Sequence, residues 1–221
     1  MFPDRVKLLI LDILVLVLNI RGLWLRRSRE LDIWPCFHLS EDRIFMFSLD
    51  LQIFNFIHQL VGKSRLLDLT AIFFADYFGY IFVLVFLFII FSSKKLKEAM
   101  FNLSFVSLAI LLSRGIFTEV LRFFFFRNRP FVELGFNPLI NHSASEASFP
   151  SGHMTFYFAL VFALYYLDYK KWSWLFIPGL VLMGLARIYA GVHWPLDIAA
   201  GIVVAFVSVF IVKSLLEQKQ A

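Results

Sequence analysis

Long apolar segments constrain the fold of this chain more than any other feature of its sequence. Five of them lie near residues 70–92, 99–121, 152–168, 172–190 and 196–213. A helix needs about 20 apolar residues to cross a hydrocarbon core roughly 30 Å thick, and these segments reach or approach that length. Because lipid offers no partners to free backbone groups, and because the apolar runs are continuous rather than alternating, helices are favoured over a β-barrel. The sequence therefore predicts an all-α fold, a polytopic transmembrane helical bundle.

The distribution of charge predicts how the bundle is oriented and argues against a nucleic-acid partner. The net charge is +5, yet 60% of the 221 residues are hydrophobic, a composition far from that of a soluble domain. Outside one arginine-rich stretch, cations lie mainly in short loops and at the end of the chain: Lys94, Lys95, Lys97, Lys170, Lys171, Lys213 and Lys219. The positive-inside rule predicts that these places are cytoplasmic. The loops at residues 122–150 and 191–195 then face the extracytoplasmic side.

The first 46 residues form a segment for which the sequence leaves several interpretations open. An apolar run at residues 8–20 is interrupted by Asp12 and has cations on both sides. It fits a sixth span, an interfacial helix, or a start placed too far upstream with Met46 as the alternative, so the bundle has five or six spans. We divide the chain into residues 1–46, of uncertain role, and a single domain at residues 47–221. Apolar residues after Met46 predict an amphipathic helix on the outer surface.

The tetrapeptide Pro150-Ser151-Gly152-His153 comes directly before an apolar segment and predicts the N-cap and first turn of its helix. Free backbone N–H groups at a helix N-terminus bind anions, and Gly152 lets a phosphate approach the backbone closely. The alternative is an ordinary helix cap with His153 at the membrane interface.

His193 and Asp197 are four residues apart at the start of the last apolar segment, where Pro195 suits the first turn of a helix. Asp197 can then reach back to an imidazole nitrogen, fix its tautomer and make the ring a better nucleophile. Arg187 is predicted near the outer end of its own span, where a cation usually faces a polar site. A simple cap for Asp197 and snorkelling of Arg187 to the interface are the alternatives.

Three arginines, Arg122, Arg127 and Arg129, lie within eight residues of one another on the side of the membrane where the positive-inside rule disfavours them. A bound anion removes this objection, because guanidinium groups match phosphate oxygens and offset the charge of a pentavalent transition state. Arg114 and Glu119 form either a buried pair that supports Arg122 or part of the interior packing.

The sequence predicts no metal and no cofactor. Its histidines show no close paired spacing, Cys36 is the only cysteine, and the predicted site is strongly cationic. A single cysteine forms no intramolecular disulfide, and we assign Cys36 no role.

Three motifs, in order and with matching spacing, resemble the signature of the type 2 phosphatidic acid phosphatase superfamily of membrane lipid phosphatases. That signature runs basic-x6-Arg-Pro, Pro-Ser-Gly-His and Ser-Arg-x5-His-x3-Asp, and the chain matches it at residues 122–130, 150–153 and 186–197. Two positions depart from it, because Arg122 replaces the usual lysine and Ala186 the usual serine. Arginine at position 122 keeps the positive charge of lysine but presents a planar guanidinium group. Alanine at position 186 lacks the hydroxyl donor of serine. We expect activity to survive both departures.

The resemblance implies a membrane enzyme that acts on a lipid phosphate from the extracytoplasmic face. It implies that His193 attacks phosphorus, that Asp197 orients this histidine, and that His153 protonates the leaving group. The phosphate-binding residues that it implies are Arg122, Arg129, Arg187, Ser151 and Gly152.

Residues 128–132, 139–142 and 147–150 look like the bacitracin-resistance type of undecaprenyl-diphosphatase. This implies a bacterial inner-membrane enzyme that removes the terminal phosphate of undecaprenyl diphosphate, so that the carrier lipid is reused in cell-wall synthesis. A phosphatase acting on phosphatidylglycerophosphate, lipid A or phosphatidate, a lipid phosphotransferase and a non-enzymatic lipid carrier are the alternatives.

Overall fold

The computed structural model describes residues 41–93 and 95–217, and this part of the chain consists of helices and their connections. The helices are α1 (Glu41–His58), α2 (Arg65–Phe91), α3 (Leu96–Phe124), α4 (Pro130–Glu133), α5 (Gly152–Tyr166), α6 (Lys170–Tyr189) and α7 (Pro195–Glu217). The predicted all-α class is confirmed. The apolar run at residues 8–20, Cys36, Lys94 and Lys219 lie outside the described residues.

Within residues 41–93 and 95–217, four helices are long and apolar enough to cross a membrane: α2, α3, α6 and α7 have 27, 29, 20 and 23 residues. They confirm the prediction of a multi-pass membrane protein. The remaining predicted span, near residues 152–168, forms helix α5 of only 15 residues, about 22 Å at roughly 1.5 Å per residue. This helix lies inside the bundle against α3, α6 and α7. Because protein and a polar cavity surround its ends instead of lipid, it does not need the full span length.

The apolar core is built around α5. Its side chains Met154, Phe158 and Leu164 are buried, and they belong to one cluster with Phe105 of α3 and Leu180 of α6. Large apolar side chains also cover the outside of the bundle, among them Leu84, Phe88, Leu182, Phe206 and Phe210. Lipid tails are as apolar as these side chains, so an apolar exterior is stable in a bilayer.

Two π-helical stretches interrupt the longest helices, at Phe73–Tyr77 in α2 and Leu111–Phe117 in α3. The second stretch is tied to the first turn of α5 by side-chain hydrogen bonds. Ser113 Oγ donates to the Thr155 carbonyl at 3.3 Å, and Thr118 Oγ1, in the residue after the stretch, donates to Thr155 Oγ1 at 3.2 Å. Short π-helical segments in α-helices occur frequently at functional sites, and both of these lie beside the polar end of the bundle.

Helix α1 confirms that a helix follows Met46, but its faces differ from the simple amphipathic pattern. Phe54 is fully buried and Asp50 is only 1% exposed, whereas Ile53 and Phe56 are exposed. The helix thus turns one carboxylate into the protein and apolar side chains outward, where lipid can cover them. The division at residue 46 stays a prediction, as do the three explanations of the segment before it.

Because successive long helices run in opposite directions, the lysines and the motif-bearing loops lie at opposite ends of the bundle. Lys95, Lys97, Lys170 and Lys171 lie at one end, beside the junctions of α2 with α3 and of α5 with α6. The loop from α3 to α5 and the loop from α6 to α7 lie at the other end. The motif-bearing loops are therefore on the side away from the lysines, as the charge pattern predicts.

Close packing of α7 on α5 depends on Gly201. A methyl group on Gly201 would lie 2.7 Å from Met154 Cβ and 2.9 Å from the Ser151 carbonyl oxygen. We expect Gly201→Ala to destabilise the fold by about 1 to 3 kcal/mol, because overpacking forces the helices apart, and to lower the thermal unfolding midpoint in detergent. Val203→Ile, which adds a methyl group on an exposed side chain of the same helix, should leave the midpoint unchanged. Equal midpoints for the two variants would contradict this packing.

Candidate active site

A polar cavity of about 260 Å³ opens at the end of the bundle that carries the motifs. Its walls contain four guanidinium groups, three imidazoles and one carboxylate. The residues that line it are Arg114, Arg122, Arg129, His142, Glu146, Gly152, His153, Phe156, Tyr157, Arg187 and His193. Six of the eight predicted site residues are in this wall, and the other two, Ser151 and Asp197, lie directly behind it.

His193 is buried at the inner end of the cavity and is held from both sides of its ring. Its Nδ1 lies 3.5 Å from Asp197 Oδ2, as the spacing of the two residues predicts. Its Nε2 lies 3.4 Å from Arg129 Nη1, which can only donate. The Asp197 carboxylate therefore favours the tautomer with hydrogen on Nδ1, which leaves the Nε2 lone pair on the side of the arginine.

Ser148 bridges this pair, and the sequence reasoning did not single it out. Its hydroxyl donates to Asp197 Oδ2 and lies 3.4 Å from His193 Nδ1. Its backbone N–H donates to the Arg127 carbonyl at 2.8 Å, which fixes the serine against the arginine-rich stretch. Nothing local in the sequence marks Ser148, because its partners lie 45 and 49 residues away.

Arg127 does not point into the cavity with its two neighbours, which corrects the idea that one anion explains all three arginines. Its Nη1 donates to Asp197 Oδ1 at 3.1 Å, and its Nη2 donates to Asp50 Oδ2 at 2.5 Å. The guanidinium group also stacks 4.8 Å from the Trp194 ring centroid. The Leu196 N–H donates to Asp50 Oδ1 at 2.8 Å. Arg127 is thus a clamp between α1 and the start of α7.

Arg129 and Arg187 are both about 1% exposed and are held by backbone carbonyls. Arg129 Nη1 donates to the Val192 carbonyl at 3.0 Å, and Arg187 Nη1 donates to the Ala75 carbonyl at 3.1 Å, within the π-helical stretch of α2. Within the described residues, buried Nε groups of both arginines and of Arg122 have no hydrogen-bond partner. A buried donor without an acceptor is costly, so these groups favour an anion in the cavity.

Helix α5 begins at Gly152 with Ser151 as its N-cap, so the helix terminus at which the sequence predicts anion binding is present. Ser151 is the N-cap residue, yet its side chain makes no capping bond, and its buried hydroxyl has no partner in the part of the chain described. A Cβ atom on Gly152 would lie 2.8 Å from Arg114 Nε and 3.4 Å from Arg122 Nη2. The absence of a Cβ at Gly152 therefore lets the Arg114 guanidinium group lie close to the helix terminus, whereas the distance to Arg122 is an ordinary van der Waals contact.

His142 and Glu146 enter the cavity from the loop between α4 and α5, and neither was a predicted site residue. Arg187 Nη2 donates to His142 Nε2 at 3.0 Å, and Arg129 Nη2 donates to Glu146 Oε2 at 3.3 Å. The His142 ring lies 6.4 Å from the His193 ring. The only signal in the sequence is their spacing of four residues, which has no predictive value in a loop.

Burial, together with the nearby cations Arg129 and Arg187, lowers the pKa of His142 to about 3. Burial, followed by the charges of Arg187 and Arg129, also lowers the pKa of His193 well below its usual value. Both rings are therefore neutral at pH 7 in the empty cavity. A neutral His193 has the lone pair that a nucleophile needs.

Arg114 and Glu119 form the ion pair that the sequence offers as one interpretation, but the pair is only partly buried, because the Arg114 side chain is 35% exposed. Arg114 Nη1 lies 2.5 Å from Glu119 Oε1, and the same oxygen lies 3.7 Å from Arg122 Nη1. Glu119 thus links the two arginines on this wall. Among the described residues, no group of three or more His, Cys, Asp or Glu side chains is placed to hold a metal ion.

Residues 103–221 match the model of the PAP2 superfamily. The chain belongs to the PAP2 superfamily. The predicted membership in a family of membrane lipid phosphatases, and with it the prediction of an enzyme, is confirmed. The matched region contains all three motifs, whereas Asp50 and helix α1 lie outside it.

Within the PAP2 superfamily, the chain is similar to the undecaprenyl-diphosphatase BcrC of Bacillus subtilis strain 168, with 30% identity over 164 residues, 74% of this chain and 82% of that relative. It is 31% identical over 129 residues to a lipid A 4'-phosphatase of Porphyromonas gingivalis, which covers 56% of this chain and 55% of that protein. The crystal structure of Aquifex aeolicus LpxE superposes with a TM-score of 0.58 at 28% identity, covering 75% of this chain and 95% of the other.

The clamp formed by Asp50 and Arg127 predicts a coupled effect on stability. Asp50→Asn leaves Arg127 with one charged partner fewer, and loss of one member of a buried ion pair costs about 3 kcal/mol or more. We expect a lower thermal unfolding midpoint for Asp50→Asn and a smaller additional loss when Arg127→Gln is added, because the two residues interact. Glu133→Gln removes an exposed carboxylate and serves as the control. Additive losses in the double variant would contradict the clamp.

The lowered pKa values of His142 and His193 predict a stability that falls in acid. The unfolded chain binds a proton on each histidine near pH 6.5, whereas the folded chain does not, so the stabilisation present above pH 6.5 is lost as the pH falls below it. We expect the thermal midpoint of the phosphate-free protein to fall between pH 7.5 and 5.5. His142→Asn should reduce this fall. An identical pH profile for the variant would show that His142 is not held neutral by the fold.

Proposed function

We propose that this protein hydrolyses undecaprenyl diphosphate to undecaprenyl phosphate and inorganic phosphate. The observation that carries the proposal is His193, buried at the end of a cavity lined by arginines and held by Asp197 and Ser148. Unpaired, buried arginine donors beside it suit a phosphate group. The polyprenyl substrate is supported by the similarity of this chain to the undecaprenyl-diphosphatase of Bacillus subtilis. That similarity covers 82% of the relative.

In the first step, His193 Nε2 attacks the terminal phosphorus. The new N–P bond forms as the bond to the bridging oxygen breaks, and His153 donates its proton to that oxygen. Asp197 and Ser148 hold the Nδ1–H and stabilise the positive charge that the ring acquires. Undecaprenyl phosphate leaves, and a phosphohistidine remains on His193.

In the second step, water attacks the phosphohistidine. His153, now without its proton, accepts a proton from the water, and the N–P bond breaks to release inorganic phosphate and regenerate His193. Each turnover therefore consumes one water molecule and returns both histidines to their starting state. No metal ion takes part in this scheme.

The arginines stabilise the negative charge of the transition state in both steps. Arg129 and Arg187 are fixed by backbone carbonyls before substrate arrives, so little reorganisation is needed. Arg122, the Ser151 hydroxyl and the free N–H groups at Gly152 complete the set of donors. Preorganised donors in a site shielded from water contribute far more than the same groups in solution.

The two departures from the family signature are compatible with this function. Arg122 Nη2 donates to the Pro150 carbonyl at 3.3 Å while its Nη1 faces Glu119, so the planar group is held at both ends. Ala186 is buried in an apolar cluster with Ala71 and Ala75. A hydroxyl at this position would have apolar neighbours, so its absence leaves the guanidinium side of the cavity unchanged.

The positions of the lysines and of the cavity also support a proposal for the membrane in which the protein lies and for the side that the cavity faces. We propose that the protein lies in the bacterial inner membrane with the cavity on the outer face, because the cavity is at the end away from the lysines. Phe156 and Tyr157 line the cavity beside its polar groups. They offer an apolar exit through which the polyprenyl tail can remain between the helices.

Other lipid phosphates are the main competing substrates. Similarity to a lipid A 4'-phosphatase favours lipid A as a second candidate, although that match covers only 55% of the relative. Phosphatidylglycerophosphate and phosphatidate suit the same chemistry. A phosphotransferase would require a lipid acceptor, and a carrier would bind the lipid without releasing phosphate.

The substrate is tested by phosphate release from the detergent-purified protein in the presence of EDTA. We expect undecaprenyl diphosphate to be hydrolysed with a higher kcat/KM than phosphatidylglycerophosphate, phosphatidate or lipid A. Preference for one of the other lipids would support the same phosphatase reaction but would contradict undecaprenyl diphosphate as the substrate. Activity lost on EDTA addition and restored by a divalent cation would overturn the metal-independent scheme.

The roles of the two histidines are tested with matched variants. His193→Ala should abolish turnover, and His153→Ala should lower kcat by about 10² to 10⁴ through loss of general acid catalysis. Substrate labelled in its terminal phosphate should leave an alkali-stable label on His153→Ala and none on His193→Ala. His58→Gln, which changes a histidine outside the cavity wall, should retain turnover. Label retained on the His193 variant would refute its role as nucleophile.

A further inference from the structure

Arg114 lines the cavity but has no part in the mechanism above. We propose that Arg114 forms a second phosphate subsite, which binds the lipid-linked phosphate of a diphosphate substrate and thereby selects diphosphate lipids over monophosphate lipids. This inference rests on the proposed function, because it assigns the second phosphate of the same substrate. It also gives a physical reason for a cation inside a membrane-spanning helix.

The position of Arg114 along the cavity supports this assignment. The side chain of Arg129 is 1% exposed, whereas that of Arg114 is 35% exposed. The cavity therefore has an inner end at His193 and Arg129, whereas Arg114 and the more exposed Glu146 lie toward its opening. A diphosphate lipid that places its terminal phosphorus at His193 must leave its lipid-linked phosphate toward the open end, beside Arg114.

The guanidinium group of Arg114 is held in place with part of its donor set free. Nη1 is bound by Glu119 at 2.5 Å, which fixes the plane of the group. Nε faces the first turn of α5, since a Cβ on Gly152 would lie 2.8 Å from it. Within the described residues, Nε and Nη2 donate no hydrogen bond. Because Arg114 lines the cavity, these two donors form one side of a separate site for one phosphate.

The local backbone supports a functional interpretation of Arg114. The residue lies in the π-helical stretch Leu111–Phe117, inside the span Leu96–Phe124. A charged side chain within a membrane span is expensive and usually faces a functional cavity. An ion pair with Glu119 alone would explain the charge of both residues, but it would not explain why the cavity wall leaves Arg114 more open than its neighbours.

The cavity has room for both phosphates. Its volume is about 260 Å³, several times the roughly 30 Å³ that one water molecule occupies in the liquid. Phe156 and Tyr157 line it together with Arg114. The lipid-linked phosphate would therefore lie at the boundary between the polar wall and the apolar exit for the tail, which is where a lipid diphosphate changes from polar to apolar.

The test compares two substrates that share one tail, farnesyl diphosphate and farnesyl monophosphate, on Arg114→Gln and on the unaltered protein. We expect kcat/KM for the diphosphate to fall by about 10- to 100-fold, as for loss of a charged hydrogen bond, and the monophosphate to lose much less. Arg114→Lys keeps the positive charge but lacks the planar, two-pronged guanidinium group. Its ratio of kcat/KM for the diphosphate to kcat/KM for the monophosphate should therefore lie between those of Arg114→Gln and the unaltered protein. Arg65→Gln removes an exposed cation at the same end of the bundle and should leave the ratio unchanged.

Equal losses on both substrates would reduce Arg114 to a structural support of Arg122 and overturn the subsite, as would no loss on either. Absence of phosphate release from undecaprenyl diphosphate by the unaltered protein would instead contradict the proposed function. In that case, equilibrium binding of the two farnesyl compounds to His193→Ala, with and without Arg114→Gln, still tests the subsite. A diphosphate preference in binding that Arg114→Gln leaves unchanged would refute it.

Discussion

The buried carboxylate of Asp197 is the group on which the rest of the polar end depends. It accepts hydrogen bonds from Arg127, Ser148 and the Trp194 N–H, and it faces the ring of His193. Its backbone carbonyl accepts the Ser151 N–H at 3.0 Å, which joins α7 to the start of α5. A charge buried in an apolar bundle is tolerated only when such partners surround it. The same carboxylate therefore holds the loops around the cavity and the ring of His193, the nucleophile that we propose.

Features that depend on local composition could be predicted from the sequence. The length of an apolar run decides whether a helix can cross a bilayer, so α2, α3, α6 and α7 were predictable without any knowledge of their neighbours. The contact between His193 and Asp197 was predictable for the same reason, because a spacing of four residues brings two side chains together at the first turn of a helix.

Features that depend on packing between distant segments could not be predicted. Arg127 looked equivalent to Arg122 and Arg129 along the chain, but it pairs with Asp50, 77 residues away on a helix that the family match does not include. Ser148 is one of several loop serines until the fold brings it to Asp197. The shortness of α5 also follows from its surroundings, because its neighbouring helices, rather than lipid, decide how long it must be.

The 15 residues of α5 set the depth at which the chemistry takes place. With Lys170 and Lys171 marking one membrane boundary, a helix of about 22 Å ends roughly 8 Å short of the other side of a 30 Å hydrocarbon core. The head group therefore has to descend below the level of its lipid neighbours to reach His193. Water must follow it into the same recess. In the mechanism proposed above, the lifetime of the phosphohistidine then depends on how fast water enters a pocket that the lipid product must leave first.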